Sequence, residues 1–429
     1  MEIKPYSQYK DSGVEWIGKI PKKWNIQPLK HIAKTIPGGT PSTNNLDYWK
    51  NGTIPWLPSG KVQNCVINEN DVNKYITKKG LMNSATKYIG PNSILIALTG
   101  VTCGKIGFLT FKATANQSVI SIEPYSFIPK YIYYNLLSQK EQILINKTGG
   151  AQSGINEDNV KNIKIAIPSF TEQEQIAKYL DKKTTKIEQT ITKNKKLITL
   201  LKEKRTTLIN QTVTKGLNPD IPMKESGIEW IGKIPKHWDI TKIKYYCNVS
   251  MGQSPDSKYY TKDDNYTIFV QGNADLKNGK VIPRNYTKYV TKIANKNDLL
   301  LTVRAPCGDV AITEYQICIG RGVSSISNAK NDKYLFYYLN NLKNNDIWEI
   351  FSNGSTFDAI NYDDIRNMIL IEPPSYEQQE IVNYLDNKTQ KIDKTIEKIE
   401  KNIELLEEYK ESLIHYVVTG KIDVRGVEV

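Results

Sequence analysis

The sequence predicts an α/β (α+β) fold present in two copies, with two mixed domains separated by two long α-helices that form an antiparallel coiled coil. Three observations predict it. Residues 11–26 (DSGVEWIGKIPKKWNI) return 214 positions later as residues 225–240 (ESGIEWIGKIPKHWDI). Residues 163–180 (IKIAIPSFTEQEQIAKYL) return 205 positions later as residues 368–385 (MILIEPPSYEQQEIVNYL), and each of these blocks runs on into a stretch of helical periodicity. A period of about two hundred residues far exceeds that of solenoid repeats, so the repeating unit is a whole domain with its connector.

Each half reads as an entry segment, a mixed region and a long helix. In the mixed regions, short apolar runs punctuated by Gly, Pro and Asn read as buried strands: residues 93–100, 119–122, 298–303 and 323–327. Residues 130–144 and 333–351 read as helices placed alike in the two halves. The connectors then show a heptad seam through Ile176, Leu180, Ile187, Ile191, Ile198, Leu201 and Leu208, with Lys183, Asn194 and Arg205 as polar seam positions. Adding 205 gives the second seam: Ile381, Leu385, Lys388, Ile392, Ile396, Ile399, Ile403, Leu406, Lys410 and Leu413. Each helix should run roughly 40 residues, about 60 Å.

Charge favours pairing the two helices with each other, the alternative being that each excess is a solvated face. Residues 171–217 hold eleven Lys/Arg against five Asp/Glu, and residues 376–420 hold six against ten. Helices of unlike sign attract, which favours an intramolecular pair over self-association. Because the entry segment precedes each domain and the helix follows it, an antiparallel pair would set the two mixed domains at opposite ends of a pseudo-twofold arrangement. Such spacing suits a split target on a duplex, which presents the same groove face once per turn of ~34 Å.

Composition narrows the partner. The chain carries 58 Lys+Arg against 45 Asp+Glu, a net +13, and most of that excess lies outside the helices, which points to a polyanion such as nucleic acid. Five scattered cysteines with no CxxC pair argue against a disulfide framework or a zinc site. With no apolar signal core and no apolar run long enough to span a bilayer, the expected location is the cytoplasm, with no membrane partner.

In this order, the duplicated WIGKIPKKW and WIGKIPKHW, the domain openings PGGTPS (37–42) and MGQSP (251–255), the closings GINEDNVKNIKIAIPSFTEQEQIAKYLD and AINYDDIRNMILIEPPSYEQQEIVNYLD, and the paired helices form a specific series. Over essentially its whole length the chain resembles the specificity subunit of type I restriction-modification systems. The resemblance implies a non-catalytic DNA-binding subunit with target-recognition domains over residues 1–170 and 218–375. Residues 171–217 would form the first coiled-coil helix, and residues 376–429 the second with a C-terminal tail. It further implies double-stranded DNA as ligand, two modification (methyltransferase) subunits that methylate adenine with S-adenosylmethionine, and restriction subunits that translocate and cleave with ATP and magnesium. This chain itself would hold no cofactor and no metal.

Absences in the sequence agree with that expectation. The string nearest an adenine-methylase tetrapeptide, Asn218-Pro219-Asp220-Ile221, lacks the aromatic that stacks a flipped base. Residues 100–105 (GVTCGK) are one residue short of a phosphate loop, and Ile106 stands where Ser or Thr would ligate magnesium. The histidines His31, His237 and His415 are scattered, with no visible nucleophile partners.

The two halves match in their flanks and helices and differ inside the domains, so they should read different half-sites. Arg or Lys reads guanine and Asn or Gln reads adenine through bidentate hydrogen bonds. The first domain has no Arg, whereas the second has Arg284, Arg304 and Arg321, and Gln117 aligns with Arg321 at an offset of 204. Gln117 is therefore expected to help read adenine and Arg321 guanine. Further candidates lie in Gly-bounded loops: Ser42, Thr43, Asn44, Lys61, Thr99, Thr102, Lys105 and Gln152 in the first copy, and Ser254, Ser257, Lys258, Gln271, Asn273, Ser355 and Thr356 in the second. Their Lys and Ser/Thr members would mainly grip phosphates and set register. Trp16, Trp24, Trp230 and Trp238 fall in the most similar blocks and are read as structural. Two other readings compete, a coiled-coil scaffold without DNA specificity and an enzyme with an unrecognised site.

Overall fold

The structure, a computed structural model, describes residues 5–145, 154–348 and 359–427. Two compact units emerge, one of residues 1–194 with 401–429 and the other of residues 195–400. Each contains one mixed domain, the beginning of the helix that follows it and the end of the other helix.

Both mixed domains are built on the same strand order. In the first copy the main sheet runs Ala33–Pro37, Val119–Pro124, Ser93–Ala97, Ile106–Leu109, Cys65–Ile67. In the second it runs Asn248–Met251, Val323–Ser327, Leu299–Thr302, Val310–Ile312, Lys280–Val281, Leu276–Lys277. The central pairs are antiparallel, and one pair towards the same side of each sheet is parallel: Cys65–Ile67 with Ile106–Leu109, and Lys280–Val281 with Val310–Ile312. Ser93–Ala97 and Leu299–Thr302 are buried on both faces, which is why they read as unbroken apolar runs. A smaller sheet is three-stranded in the first copy and five-stranded in the second, where Tyr260–Thr261, Tyr286–Thr287 and Ile293–Ala294 elaborate it.

The repeated entry blocks close each domain. A short hairpin, Tyr9–Asp11 with Lys19–Pro21 or Met223–Glu225 with Lys233–Pro235, leads into a strand that pairs antiparallel with the closing strand. Those pairs are Asn25–Pro28 with Lys164–Ile167 and Asp239–Lys242 with Ile369–Glu372. Trp24 and Trp238 are buried, each against the glycine that ends a long helix. A Cβ on Gly420 would lie 3.2 Å from the Trp24 ring and one on Gly216 would lie 3.1 Å from Trp238. Both glycines have positive φ (+71° and +78°), the left-handed cap that commonly stops a helix. Trp24 and Trp238 are thus structural, as their place in the repeat suggests.

The segment 130–144 forms two helices, Pro129–Ser138 and Lys140–Ile145, and its counterpart is Asp332–Asn344. Their tyrosines bolt the mixed domain to the helices in the same way twice. Tyr131 donates to the carbonyls of Ala166 and Val418, and Tyr334 to those of Ile371 and Val213. Tyr134 donates to Asp181 and Tyr337 to Asp386. Burial pushes all four phenols well above their ordinary pKa, so they act as permanent donors.

The long helices are Phe170–Lys215 and Ser375–Val418. They run antiparallel in each unit. In the first, Glu188 meets Lys410 at 3.3 Å, while Glu172, earlier in the chain, meets Arg425, later in the chain, at 3.9 Å. In the second, Arg205 meets Asp393 at 3.0 Å, while Val213 shares a core with the earlier Ile381 and Val382. The heptad seam holds with one correction per copy. Lys183 and Lys388 are exposed, each with its ammonium 5.6 Å from a tyrosine ring, and the seam positions are the buried Thr184 and Thr389. A buried ammonium would lose its hydration, whereas each threonine hydroxyl donates to a carbonyl one turn back, Leu180 or Leu385.

Candidate nucleic-acid interface

In the first copy, three strand ends and one strand start meet around the turn Asn116-Gln117-Ser118. Asn116 N–H donates to Leu57 O, Leu98 N–H to Ser118 O, and Gly38 N–H to Val119 O. Two glycines seat the PGGTP loop, Gly38 against this turn and Gly39 against Ala85 and Thr86. A Cβ on Gly38 would fall 2.0 Å from the Asn116 carbonyl and one on Gly39 2.5 Å from Thr86 N. From this crossing Thr40 donates its hydroxyl to the Gln117 amide oxygen, which fixes the Gln117 side chain while leaving its NH2 for another partner. Ser42, Thr43 and Asn44 follow on the exposed side of the same loop. Thr99 leaves the strand Ser93–Ala97 beside Ser118, and its loop returns through Thr102 and Lys105. Lys105 in turn donates to Gln63, whose amide donates to Gly60 O beside Lys61. Ser42, Thr43, Asn44, Lys61, Thr99, Thr102, Lys105 and Gln117 thus belong to one cluster of loops at one end of the main sheet.

The second copy repeats the crossing with other side chains. Gly320 N–H donates to Val270 O, Val303 N–H to Gly322 O and Gly252 N–H to Val323 O. Ser254, the counterpart of Thr40, accepts from the backbone N–H of Arg321 at 3.1 Å, and the Arg321 side chain is exposed. Gln271 and Asn273 are seated beside it, since a Cβ on Gly322 would lie 2.2 Å from Gln271 O. The buried Asp275 accepts from Gln271 N–H at 2.8 Å and holds that loop. Arg284 joins the group by donating to Ala274 O at 3.0 Å. Arg304 begins the loop after Leu299–Thr302, and its backbone bridges to Ala359.

Ser257 and Lys258 follow Ser254 in the same loop, as Thr43 and Asn44 follow Thr40 at the offset of 214. They lie in the short helix Ser257–Tyr259, and the Lys258 ammonium is shared between Asp256, at 3.4 Å, and the Tyr259 ring, at 5.1 Å. Gln152, Ser355 and Thr356 lie outside the described residues. The residues that sequence reading passed over are the supports: Thr40, Gln63 and Asp275. Thr40 was within reach, because at an offset of 214 it aligns with Ser254. Among the described residues no group of three or more His, Cys, Asp or Glu side chains is gathered as a metal site would need. Among them also, no helix is long and apolar enough to cross a membrane.

The family profile of the type I restriction modification DNA specificity domain matches this chain twice, over residues 21–199 and 235–406. The chain belongs to that family. It is 30% identical over 431 residues to a Methanocaldococcus jannaschii protein named as the specificity subunit of type I restriction enzyme MjaX, covering 95% of this chain and 96% of the relative. It is also 32% identical over 189 residues to the EcoR124I/EcoR124II specificity subunit of Escherichia coli, covering 42% of this chain and 45% of that one. Among solved structures, a chain from a study of assembly and conformational transition in the type I R-M system superposes with a TM-score of 0.74. It has 19% identity and covers 93% of this chain and 98% of its own length. The HsdS subunit of Thermoanaerobacter tengcongensis superposes at 0.52, also with 19% identity, over 94% and 98%.

Within this specificity subunit the doubled crossing is where the two copies share a backbone and differ in side chain. The frame around it is the same twice, down to the tyrosine bolts and the glycine caps. A repeated scaffold thus holds unlike side chains at equivalent places.

Proposed function

We propose that this chain is the non-catalytic, DNA-reading subunit of a type I restriction-modification complex, each copy reading one half of an asymmetric, bipartite duplex target. The observation that carries the reading is the pair of equivalent crossings, Thr40 with Gln117 and Ser254 with Arg321. Both present an exposed hydrogen-bonding side chain at the same place in the same frame, and the two side chains suit different bases. Around them, Lys61 and Lys105 in the first copy and Ser254, Gln271, Asn273, Arg284 and Arg304 in the second supply groups for phosphates and base edges. Ser42, Thr43, Asn44, Thr99 and Thr102 add neutral donors and acceptors.

The catalytic work belongs to partners in this reading. Two modification subunits supply S-adenosylmethionine-dependent adenine methylation, and restriction subunits supply ATP- and magnesium-dependent translocation and cleavage, all in the cytoplasm. Support comes from the membership of the family and from the chemistry of the crossings, whose amides, hydroxyls and guanidinium groups bind rather than transfer protons.

The test is to map methylated adenines genome-wide with and without the gene. A split motif with unlike halves that disappears on deletion is the expected result. An unchanged methylation map, or methyl transfer by the purified chain alone, overturns the proposal.

A further inference from the structure

Val101 is fully exposed, at 100%, at the tip of the loop that carries Thr99, Thr102 and Lys105. Single exposed apolar residues are common on protein surfaces, so exposure alone says little, and what marks this one is the backbone that carries it. This one is held out. Gly100 and Gly104 take positive φ (+71° and +80°), which folds the loop back on itself. Cys103 N–H donates to Gly100 O, Lys105 N–H to Thr102 O, and Gly104 N–H to Ala97 O at 2.8 Å. The Cys103 thiol adds a contact to Leu98 O, and Gly104 lies so close to Leu144 that a Cβ there would fall 2.5 Å from its Cδ2. Valine is also branched at Cβ, so few rotamers are lost when it meets a surface. The backbone therefore presents one stiff apolar group, flanked by an ammonium and two hydroxyls, beside the crossing that holds Gln117.

Double-stranded DNA offers one apolar group on its base edges in the major groove, the C5-methyl of thymine. We propose that Val101 is a specificity-determining residue that packs on a thymine methyl in the half-site read by the first copy, with Thr99, Thr102 and Lys105 gripping the flanking backbone. This rests on the DNA-reading function proposed above. The second copy has Ala305 at the equivalent position, also exposed but smaller, so Val101→Ala installs the second copy's side chain in the first copy's frame.

The experiment uses the full chain purified with its modification subunits and a duplex bearing the split target found by methylation mapping. Each thymine is replaced in turn by deoxyuridine, which deletes only the methyl group. Tighter binding to the parent duplex than to a scrambled one checks the DNA-reading function first and separately. The expected result is that one replacement in one half-site weakens binding about fourfold, the effect of removing one buried methyl from contact. Val101→Ala should bind the two duplexes within a factor of two of each other, with an unchanged unfolding midpoint because the side chain packs on nothing in the protein. If no deoxyuridine weakens binding, if neither half-site contains thymine, or if Val101→Ala keeps the full discrimination, the proposal is wrong even where the parent duplex is bound.

Discussion

Arg205 and Asp393 face each other across the long helices of the second unit at 3.0 Å, and moving both numbers by 205 gives the ion pair of the first unit, Lys410 with Glu188 at 3.3 Å. The helix that supplies the cation in one unit supplies the acid in the other. Arg205 and Lys410 both occupy seam positions that an apolar residue would fill in a simple coiled coil. The Arg205 Nε–H finds no acceptor at good hydrogen-bond geometry, so this contact works through charge. Its partner side chains are 30% and 48% exposed, which limits the coupling to about 0.5–1 kcal/mol. Asp393→Lys should lower the unfolding midpoint by setting two cations together in the seam, and adding Arg205→Glu should restore most of it. A double variant no more stable than the Asp393→Lys single shows that the pair does not couple.

Gln117→Arg gives the first crossing the side chain of the second. The Thr40 hydroxyl loses its acceptor, and the guanidinium favours guanine where the amide suited adenine. The methylated motif should change at one position in one half-site, from adenine towards guanine, while the other half-site stays as it was. Discrimination should shift by about 1–3 kcal/mol, roughly tenfold to a hundredfold in relative binding. Methylation mapping reads this directly, and an unaltered motif removes Gln117 from the reading set.

Most of the frame was legible because the chain states it twice. The entry blocks, the closing strands and the heptads all recur at fixed offsets, and any feature required in both copies shows as a match. The seam errors at Lys183 and Lys388 arose because steps of three then four, or four then three, both bridge Leu180 to Ile187 and Leu385 to Ile392, so counting alone does not separate the lysine from the threonine beside it. Thr184 and Thr389 fill the seam since a short hydroxyl is satisfied by the preceding turn while buried, whereas an ammonium there would be stripped of its water. The proposed reading surface was legible only as differences. Gln117 and Arg321 stand out by contrast, whereas Val101 looks like any strand-end apolar residue until the loop that exposes it is seen. Asp275 was hidden for the opposite reason, because an acid in a polar loop reads as solvated, yet it is 4% exposed and holds Gln271.

Acid should loosen the second unit at Glu377. Burial alone would push that carboxyl up, but hydrogen bonds with His237 at 2.6 Å, Trp238 at 2.8 Å and Tyr376 at 3.0 Å outweigh it and hold the group below its ordinary range. A depressed carboxylate contributes stability that is present above the unfolded value, about 4.3 for Glu, and is lost as pH falls through the lower folded value. Glu377→Gln should be less stable than the parent at neutral pH and should lose less on acidification through that window. Urea unfolding midpoints measured across it decide the matter, and parallel curves for the two proteins would rule out Glu377 as the source.

Lys61 and Lys105 should act on affinity without acting on sequence. An ammonium at a phosphate releases a counterion wherever the protein sits on a duplex, so its loss weakens specific and non-specific binding together. Lys105→Gln removes the charge that now rests on Gln63, and Lys61→Gln removes the charge next to the Gly60 turn. Each should lower the slope of log affinity against log salt by about 1 and leave the methylated motif unchanged. Arg321→Gln is the control of opposite kind, expected to alter the motif in the second half-site with its greatest effect at one base pair. If either lysine variant changes the motif and keeps the salt slope, that lysine reads a base, and the division between gripping and reading residues in the first copy has to be redrawn around it.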